Sequence, residues 1–425
     1  MRIAFSTFGC KINQYETDQI RRDLKDRGCV IVSFESEADA YIINTCSVTK
    51  KSDYQCRQAI RSAAGRGKGA KVIVTGCYAA TQPAEIQKIT GVDIICGNPD
   101  KPSIAELVTK TLATNPENPQ KFAHEIAPEA LPERSRGFLK IQDGCDNRCS
   151  YCIVPLARGR SRSVPQSAVI RDFDQLVSEG CAEIVLSGIH IGTYGKDLDS
   201  MINLTELLKE LAARRKGSRI RLSSIEPREI TDDMINLLGN GLCRHLHIPL
   251  QSGDDTILTS MKRDYSSAFY LKLVKKIADQ VSGIALGADV MVGYPGEGEV
   301  EFQNTLHFLE NAPLTHLHIF NYSRRPGTLA AEMGDQVADR IKKKRSEQLR
   351  ELGKDKNLAF RKKQSGIPLK AVVEANMDAA TGTALGLTDN YIRTHIKGVK
   401  PEHLRKELGI CINEVNLGGD LAALL

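Results

Sequence analysis

The stretch CDNRCSYC at residues 145–152 places Cys145, Cys149 and Cys152 at the spacing C-x3-C-x2-C, just after a strand-like apolar run at 138–141. Three thiolates this close can each bind one iron of a four-iron, four-sulfur cluster, which leaves the fourth iron open to a cofactor. A closed zinc site or an inert cysteine cluster is the alternative, but structural zinc sites usually take four ligands from two separated pairs. The 28 residues after the last cysteine contain no Cys or His, so the pattern favours the iron–sulfur cluster.

Length and composition predict two or three domains, because 425 residues exceed what one hydrophobic core usually serves. Hydrophobic residues make up 41% and charged residues 26%, as in ordinary soluble proteins. The N-terminus lacks the apolar run of a signal peptide, and nowhere do eighteen apolar residues follow one another. Twelve cysteines in such a chain indicate metal or redox chemistry in a reducing compartment. We therefore expect a cytoplasmic protein that does not enter a membrane.

The net charge of +6 is concentrated in one segment. Residues 340–363 contain 11 Lys and Arg against three Asp and Glu, whereas the rest of the chain contains 47 basic and 49 acidic residues. A local basic patch is typical of a surface that binds a polyanion. The alternative is a helix with a solvated face that is docked on a core by apolar residues at nearly helical spacing, namely Val337, Ile341, Leu349 and Leu352. Charge alone leaves both interpretations open.

Over the first hundred residues, apolar runs alternate with polar, helix-like segments, which predicts a parallel sheet covered by helices. The five strand candidates are residues 3–5, 30–34, 40–43, 72–74 and 92–95. Cys10, Cys46 and Cys77 each lie just past a predicted strand. The carboxyl ends of strands in open α/β sheets converge on the ligand crevice, so we expect these cysteines to meet at one metal centre. The alternative is three unrelated buried cysteines, since free Cys is among the most buried residue types.

The other cysteines of the chain are less informative. Cys96 also ends a predicted strand and is a competing candidate for the metal centre. Five more show no such pattern, and we interpret them as packing residues: Cys29, Cys56, Cys181, Cys243 and Cys411.

The remainder of the chain divides into three parts. Residues 114–134 carry four of the sixteen prolines and little apolar periodicity, which predicts a linker. Six strand candidates then alternate with helical segments and are followed by polar residues, which predicts a partial (β/α)6 barrel with its site at the strand ends. These candidates cover residues 138–141, 183–187, 219–223, 245–250, 285–292 and 316–322. From residue 365 onward, four short strand candidates with Gly and Asn turns predict a small all-β barrel, and they cover residues 369–374, 382–388, 391–396 and 411–415.

Taken together, these motifs resemble the methylthiotransferases, a family of radical S-adenosylmethionine (SAM) enzymes, over essentially the whole chain. The resemblance implies an α/β protein with three domains: an N-terminal parallel α/β domain with an auxiliary iron–sulfur cluster, a central radical SAM barrel, and a TRAM barrel that binds RNA. The implied boundaries are 1–113 for the first domain, 114–134 for the linker, 135–339 for the radical SAM barrel, 340–363 for a basic connecting helix and 364–425 for the TRAM-like barrel.

Three motifs are closest to the branch that acts on N6-threonylcarbamoyladenosine at position 37 of tRNA, namely GCKINQYET at 9–17, NTCSVT at 44–49 and GTYG at 192–195. The isopentenyladenosine branch usually shows QMN after the first cysteine, and the ribosomal-protein branch shows PKN. This chain has KIN there, and its SRRPGT at 323–328 is more similar to the tRNA branches.

The resemblance also implies roles for particular residues. Cys145, Cys149 and Cys152 would hold the SAM cluster, and the auxiliary cluster would be held by Cys10, Cys46 and Cys77. Five polar residues would contact SAM or line the cavity, namely Ser224, Glu226, Gln251, Arg263 and Asp289. The presumed TRAM barrel carries six basic and seven acidic residues, so we expect residues 340–363 to supply much of the attraction to phosphate.

The implied reaction replaces the hydrogen on adenine C2, an unactivated aromatic carbon without a leaving group, and such a replacement requires a radical. Two 4Fe–4S clusters and SAM are the implied cofactors. The implied partners are the anticodon loop of tRNA and an electron donor such as flavodoxin or ferredoxin. Two alternatives stay open: a methylthiotransferase acting on isopentenyladenosine-37 or on a ribosomal protein, and a non-catalytic iron–sulfur protein that binds RNA.

Overall fold

The protein is represented by a computed structural model that describes residues 1–66, 69–113, 135–199, 202–378, 381–416 and 420–425. The predicted linker at 114–134 lies outside these residues. Contacts divide the described chain into two compact units. The first contains residues 1–113, 144–160 and 323–328, and the second contains the rest. The loop with the C-x3-C-x2-C cysteines is therefore grouped with the N-terminal residues, while the domain boundaries given above stay predictions.

The first unit is built on a parallel sheet of five strands in the order β2-β1-β3-β4-β5. The strands are β1 (Arg2–Thr7), β2 (Val30–Val32), β3 (Ala40–Thr45), β4 (Lys71–Gly76) and β5 (Ile94–Ile95). The helices are α1 (Lys11–Asp26), α2 (Lys50–Arg66), α3 (Cys77–Thr81), α4 (Pro83–Gln87), α5 (Ile104–Ala113) and α6 (Val154–Arg158). All five strands that the sequence predicts here are confirmed.

Both faces of this sheet are buried, because successive side chains of a strand point to opposite sides. Ile3 and Phe5 join one apolar cluster with Leu24 of α1, whereas Ala4 joins a second cluster with Ile60 of α2. Helices therefore cover both faces, as is usual for an all-parallel sheet. The carboxyl ends of the strands remain as the edge where ligands can reach the fold.

The second unit contains six parallel strands that follow one another in chain order. They form two three-stranded sheets, which isolated parallel bridges such as Ser224–His247 join. The strands are β6 (Arg136–Lys140), β9 (Glu183–Ser187), β10 (Arg219–Leu222), β11 (His245–His247), β12 (Ala285–Val292) and β13 (His316–Asn321), with a short antiparallel pair, β7 (Gln142–Asp143) and β8 (Arg162–Ser163), beside them. The predicted partial (β/α)6 barrel is confirmed.

The helices between these strands carry one apolar face each. Val169 and Phe173 of α7 and Leu207, Leu208 and Leu211 of α8 are fully buried at helical spacing. The helices of the unit are α7 (Gln166–Ser178), α8 (Leu204–Arg214), α9 (Asp232–Leu237), α10 (Asp255–Ser260), α11 (Ser267–Gln280), α12 (Glu299–Asn311), α13 (Leu329–Glu332) and α14 (Asp339–Lys363). None of the helices within the described ranges is long and apolar enough to span a membrane.

The C-terminal strands close into a barrel in the order β14-β15-β16-β18-β17. They are β14 (Pro368–Asp378), β15 (Thr383–Thr388), β16 (Arg393–Lys397), β17 (Glu407–Glu414) and β18 (Asp420–Leu424). The sequence patterns predict the first four, but they miss β18, which pairs with β16 and β17 and completes the barrel. The fold class, including the small all-β module, is confirmed.

A buried charge cluster attaches this barrel to the (β/α)6 strands. Glu183 accepts hydrogen bonds from Arg219 and Arg221, each at 2.7 Å, and Arg221 is only 1% exposed. The two guanidinium groups also donate to barrel carbonyls, to that of Leu387 at 2.7 Å and that of Thr388 at 2.9 Å. Buried charges are tolerated when they are paired and hydrogen-bonded, and here that requirement fixes where the barrel sits in this unit.

The basic segment predicted at 340–363 is α14, and it is docked as well as charged. Leu349 is fully buried in the core of the unit, whereas Ile341 is 37% exposed and does not dock the helix as its spacing suggested. Lys342 and Arg345 are also buried, and Arg345 pairs with Glu297 at 2.9 Å. Arg340, Lys343 and Lys344 lie exposed on the same turns. Only part of the segment's charge is therefore presented to solvent.

We predict a pH-dependent stability for the second unit that arises from His316. Burial lowers the pKa of His316 to about 4, and Asn357 Nδ2 lies 2.9 Å from its Nε2. Because the folded-state pKa lies below the unfolded value of about 6.5, this stabilisation is complete above pH 6.5 and is lost as the pH falls toward 4. Between pH 7.5 and 5.5 the free energy of unfolding should fall by about 1 kcal/mol more in the wild type than in His316→Phe. Denaturant unfolding at both pH values measures this, and equal falls would contradict it.

Candidate active site

The three cysteines predicted to share a metal centre lie at the carboxyl ends of neighbouring strands. Cys10 follows β1 by three residues, Cys46 directly follows β3, and Cys77 directly follows β4. Because β1, β3 and β4 are adjacent in the sheet, their ends deliver the three thiols to one edge. Cys96, the competing candidate, follows the edge strand β5 and is buried in the core beneath the sheet. The adjacency of the strands favours the predicted set.

Gly9 shows how tightly the first two cysteine loops approach each other. Its φ is +96°, and a Cβ on it would lie 2.7 Å from Cys46 Cβ and 2.9 Å from Cys46 Sγ. Any other residue would therefore push the Cys46 thiol aside. Burial raises the pKa of the Cys46 thiol, and the nearby thiols of Cys77 and Cys10 raise it further. The thiols of Cys10, Cys46 and Cys77 therefore lie near one another, and a positively charged iron centre would favour their deprotonation.

Hydrogen bonds hold these cysteine loops in place. Asn13 donates from Nδ2 to the carbonyls of Phe8 at 2.8 Å and Thr45 at 2.9 Å, which flank Cys10 and Cys46 in the chain. Arg325, in the predicted SRRPGT motif, is buried and donates to the Ser47 carbonyl at 3.3 Å and to Asp53 at 2.5 Å. The arginine therefore holds the loop that begins at Cys46, in addition to any role near RNA.

The donor set fits a 4Fe–4S cluster better than a single ion. Among the residues that the structure describes, no three His, Cys, Asp or Glu side chains come close enough to hold one metal ion. Each thiolate of a four-iron cluster binds a different iron, so its ligands need not gather around one point. Three thiols at one edge, with Asn98 Nδ2 3.8 Å from Cys77 Sγ as a hydrogen-bond donor, would suit a cluster with one open iron.

The C-x3-C-x2-C loop has the local geometry of a ligand loop. Its three cysteines are half-buried, and the Asn147 N–H points to Cys145 Sγ at 3.4 Å, as backbone donors do toward bound thiolates. The Cys145 N–H donates to the Gly159 carbonyl at 3.1 Å, which closes the loop. Gly144 precedes it with φ of +73°, and a Cβ there would lie 1.9 Å from the Arg160 carbonyl oxygen. The chain therefore needs glycine to enter the loop.

Two of the five predicted SAM-contacting residues are paired with each other in the second unit. Glu226 follows β10, and Arg263 follows α10. Their side chains form an ion pair in which the guanidinium is 4% exposed and donates to Glu226 Oε2. Burial raises the pKa of Glu226, although the charge of Arg263 opposes that rise. Arg263 therefore holds Glu226 Oε2 and fixes the orientation of the carboxylate.

The other three predicted SAM-contacting residues, Ser224, Gln251 and Asp289, are connected through the neighbouring strands. Gln251 donates from its backbone N–H to the Asp289 carbonyl at 2.8 Å, in a left-handed conformation with φ of +69°. Its Oε1 is buried without a hydrogen-bond partner among the described residues. Ser224 bridges to His247 through the backbone, and His247 Nε2 lies 3.1 Å from Asp289 Oδ2. Ser224 thus follows β10, Gln251 follows β11 and Asp289 lies in β12, so the three residues come from consecutive strand segments.

Sequence reasoning missed the two histidines that flank Asp289. His247 Nε2 contacts one carboxylate oxygen, and His318 Nδ1 lies 2.7 Å from the other. Burial alone would raise the pKa of Asp289, but the hydrogen bonds from both histidines outweigh it and hold that pKa well below its usual range. The same contact raises the pKa of His318. The signal was present as two His-x-His patterns in β11 and β13, since alternate residues of a strand share one face.

A second pair that the sequence did not predict joins His190 and Glu229. His190 Nε2 lies 2.6 Å from Glu229 Oε1, and both side chains are largely buried. The backbone N–H groups of Ile189 and His190 donate to Gln142 Oε1 at 3.0 and 2.8 Å, which fixes the turn after β9. The polar residues after β9 therefore serve both to form this turn and to place an ionisable pair.

Comparisons with known proteins agree with this architecture. Residues 2–97 match the family described as "Uncharacterized protein family UPF0004", and residues 139–309 match the radical SAM superfamily. A solved structure of the radical SAM methyltransferase TsrM from Kitasatospora setae is 16% identical and superposes with a TM-score of 0.58, over 78% of this chain and 77% of that one. At this identity the likeness concerns the fold alone.

Relatives cover almost the whole chain. A threonylcarbamoyladenosine tRNA methylthiotransferase, MtaB, of Bacillus subtilis is 40% identical over 94% of this chain and 91% of its own length. The Aquifex aeolicus protein of that name is 36% identical over 94% and 98%. A tRNA-2-methylthio-N(6)-dimethylallyladenosine synthase of Fusobacterium nucleatum is 34% identical over 87% of each chain.

The radical SAM match and the relatives that cover almost the whole chain define a radical SAM methylthiotransferase. Enzymes of this class use SAM and 4Fe–4S clusters. Within the class, the chain belongs to the MtaB family of threonylcarbamoyladenosine tRNA methylthiotransferases.

The contact between Gly9 and Cys46 makes a testable prediction. Gly9→Ala should displace the Cys46 thiol and reduce bound iron by about half, because only one of two clusters depends on it. Gly28→Ala is the matched control, since Gly28 also has a positive φ, of +80°, but nothing within 4 Å of its Cβ position. It carries the backbone strain of about 1–2 kcal/mol without the clash. Iron quantification on both variants measures the effect, and equal iron content would contradict it.

Proposed function

We propose that this chain converts N6-threonylcarbamoyladenosine at position 37 of tRNA to its 2-methylthio derivative. The observation that carries the proposal is the presence of two separate sets of three cysteines within one unit, each suited to a cluster with an open iron. Identity of 34–40% to the MtaB proteins over most of the chain supports the substrate.

The two cysteine sets would serve different parts of the reaction. Cys145, Cys149 and Cys152 would hold the cluster that binds SAM, and the auxiliary cluster would be held by Cys10, Cys46 and Cys77. When bound, the cofactors supply a carbon-centred radical and a methylated sulfur for adenine C2. The protein's own contribution is to hold both sets of thiolates in one unit and to exclude alternative reactions of the radical.

The polar residues of the (β/α)6 strands would bind SAM. Glu226, oriented by Arg263, offers a carboxylate to hydroxyl or ammonium donors, and the unpartnered Gln251 Oε1 offers a buried acceptor. Asp289 is held ionised by its two histidines and accepts hydrogen bonds from them. Ser224 would line the same cavity. These assignments rest on position at the strand ends, where ligands of such barrels bind.

Nucleoside analysis of tRNA decides the substrate. A strain lacking this enzyme should accumulate threonylcarbamoyladenosine without its methylthio group, while methylthiolated isopentenyladenosine stays at the wild-type level. Complementation with this chain should restore the first product only, as mass spectrometry of tRNA digests would reveal. Loss of the isopentenyladenosine product would favour the second candidate, which the relative from Fusobacterium nucleatum supports. A non-catalytic RNA-binding protein would alter neither and would form no 5'-deoxyadenosine.

The tRNA partner would contact the exposed part of α14. Replacing Arg340, Lys343 and Lys344 by Gln should weaken binding and flatten its salt dependence, by roughly 0.7–0.9 in the slope of log affinity against log salt per lost phosphate contact. Lys342 and Arg345 also lie within residues 340–363, but both are buried and Arg345 pairs with Glu297, so neither is presented to tRNA.

The matched control variant removes three positive charges from another helix, α11. Lys272, Lys275 and Lys276 line an open groove on α11, and their replacement by Gln should leave the slope unchanged. Binding titrations with unmodified tRNA at several salt concentrations measure both variants. Equal slopes for the two variants would contradict a specific role for α14.

The remaining assignments follow from the same proposal. A flavodoxin or ferredoxin would supply the electron that the cluster on Cys145, Cys149 and Cys152 requires, and the reaction would take place in the cytoplasm, where tRNA is modified. Full activity of purified protein with reduced flavodoxin and tRNA that already carries threonylcarbamoyladenosine at position 37 would support both the reductant class and the independence from other protein components.

A further inference from the structure

Helix α6 is bonded to all three loops that carry the auxiliary cysteines. It begins at Val154, two residues after Cys152, and it ends at Arg158. Every contact described below lies within the first unit. The helix therefore continues directly from the loop of the SAM cluster and contacts the part of the same unit that carries the second set of cysteines.

Arg158 makes the first of these attachments. Its side chain is 1% exposed, and it donates to both carboxylate oxygens of Glu16, at 2.9 and 3.2 Å. Glu16 also pairs with the buried Lys101. A forked, two-bond contact between guanidinium and carboxylate fixes orientation as well as distance. Glu16 lies in α1, the helix that begins directly after Cys10.

Arg158 reaches the ends of β1 and β3 through Asn13. Its Nη2 donates to Asn13 Oδ1 at 2.6 Å, while Asn13 Nδ2 donates to the carbonyls of Phe8 and Thr45. Those two carbonyls belong to the loops of Cys10 and Cys46. One side-chain amide, held by Arg158, therefore ties both loops to α6.

Asn98 makes the third attachment. Its Nδ2 donates to the Ala157 carbonyl of α6 at 2.7 Å and lies 3.8 Å from Cys77 Sγ. The carbonyl accepts only, so it requires the NH2 side of the amide to face it, which leaves the second hydrogen for the sulfur. Hydrogen bonds to cluster sulfurs are among the factors that set the potential of an iron–sulfur centre.

We propose that α6 couples the two cluster sites, with Arg158 and Asn98 as positioning residues. Arg158 fixes the loop of the SAM cluster relative to the loops of Cys10 and Cys46. Asn98 fixes it relative to Cys77 and donates a hydrogen bond to that thiolate, which makes the auxiliary cluster easier to reduce. This inference rests on the proposed assignment of Cys10, Cys46 and Cys77 as cluster ligands.

The first test measures the auxiliary cluster alone. In a background with Cys145, Cys149 and Cys152 replaced by Ala, EPR-monitored titration gives the midpoint potential of the remaining cluster. Asn98→Leu, which has similar volume but no donor, should shift that potential to a more negative value. Asn98→Asp should shift it further in the same direction, because a carboxylate beside the thiolate opposes reduction. The second variant keeps the test valid if the first does not fold.

The second test measures coupling in the protein with both clusters. Arg158→Lys keeps the charge but loses the fork to Glu16 and the bond to Asn13, so 5'-deoxyadenosine formed per methylthio product should rise several-fold. Arg160→Gln is the control, since that arginine is in the same loop and its side chain is 91% exposed. It should keep the wild-type ratio. Asn98→Leu should resemble Arg158→Lys.

The outcomes separate the inference from the proposed function. An unchanged potential in both Asn98 variants, with an unchanged product ratio in Arg158→Lys, would overturn the inference while leaving two clusters in place. Absence of iron from the background variant would instead overturn the assignment of the auxiliary cluster itself. Shifted potentials and uncoupled product formation together would establish both.

Discussion

The parallel sheet of the first unit is the constraint on which the site depends. In a parallel sheet every strand runs in the same direction, so the residues that follow β1, β3 and β4 must emerge at one edge. Cys10, Cys46 and Cys77 need no sequence proximity to meet there. Helices cover both faces of the sheet, as is usual for parallel strands. The apolar area buried on those faces stabilises the unit and offsets the cost of holding three thiols close together at one edge.

The edge is completed by chain segments from far along the sequence. Arg158 forms a buried ion pair with Glu16, and Arg325 forms another with Asp53, so residues 144–160 and 323–328 belong to the same compact unit as the N-terminal sheet. Removing one partner of such a buried pair typically costs about 3–5 kcal/mol, because the remaining charge stays buried without compensation. These two ion pairs therefore hold residues 144–160 and 323–328 against the N-terminal sheet in one defined arrangement. The C-x3-C-x2-C motif spans only eight residues, but the residues that pack around it come from distant parts of the chain.

The sequence predicted the features that depend on local periodicity. The strands of the N-terminal sheet, the six strands of the (β/α)6 barrel and the cysteines at strand ends followed from apolar runs and their spacing, and the structure has them where expected. Features that depend on long-range pairing were missed. β18 has the sequence DLAAL, in which Asp and Ala are poor strand formers, and it exists because β16 and β17 offer it partners. Lys342 and Arg345 count as basic surface by composition, but their burial, and for Arg345 its pairing with Glu297, follow only from how α14 docks.

The central claim is that two sets of three cysteines hold two clusters with separate tasks. The most direct measurement combines iron quantification with product analysis on one anaerobic preparation of the Cys10→Ala, Cys46→Ala, Cys77→Ala triple variant. We expect about half the wild-type iron, 5'-deoxyadenosine formed from SAM on reduction, and no methylthiolated tRNA. Full iron content together with methylthiolated tRNA would contradict it.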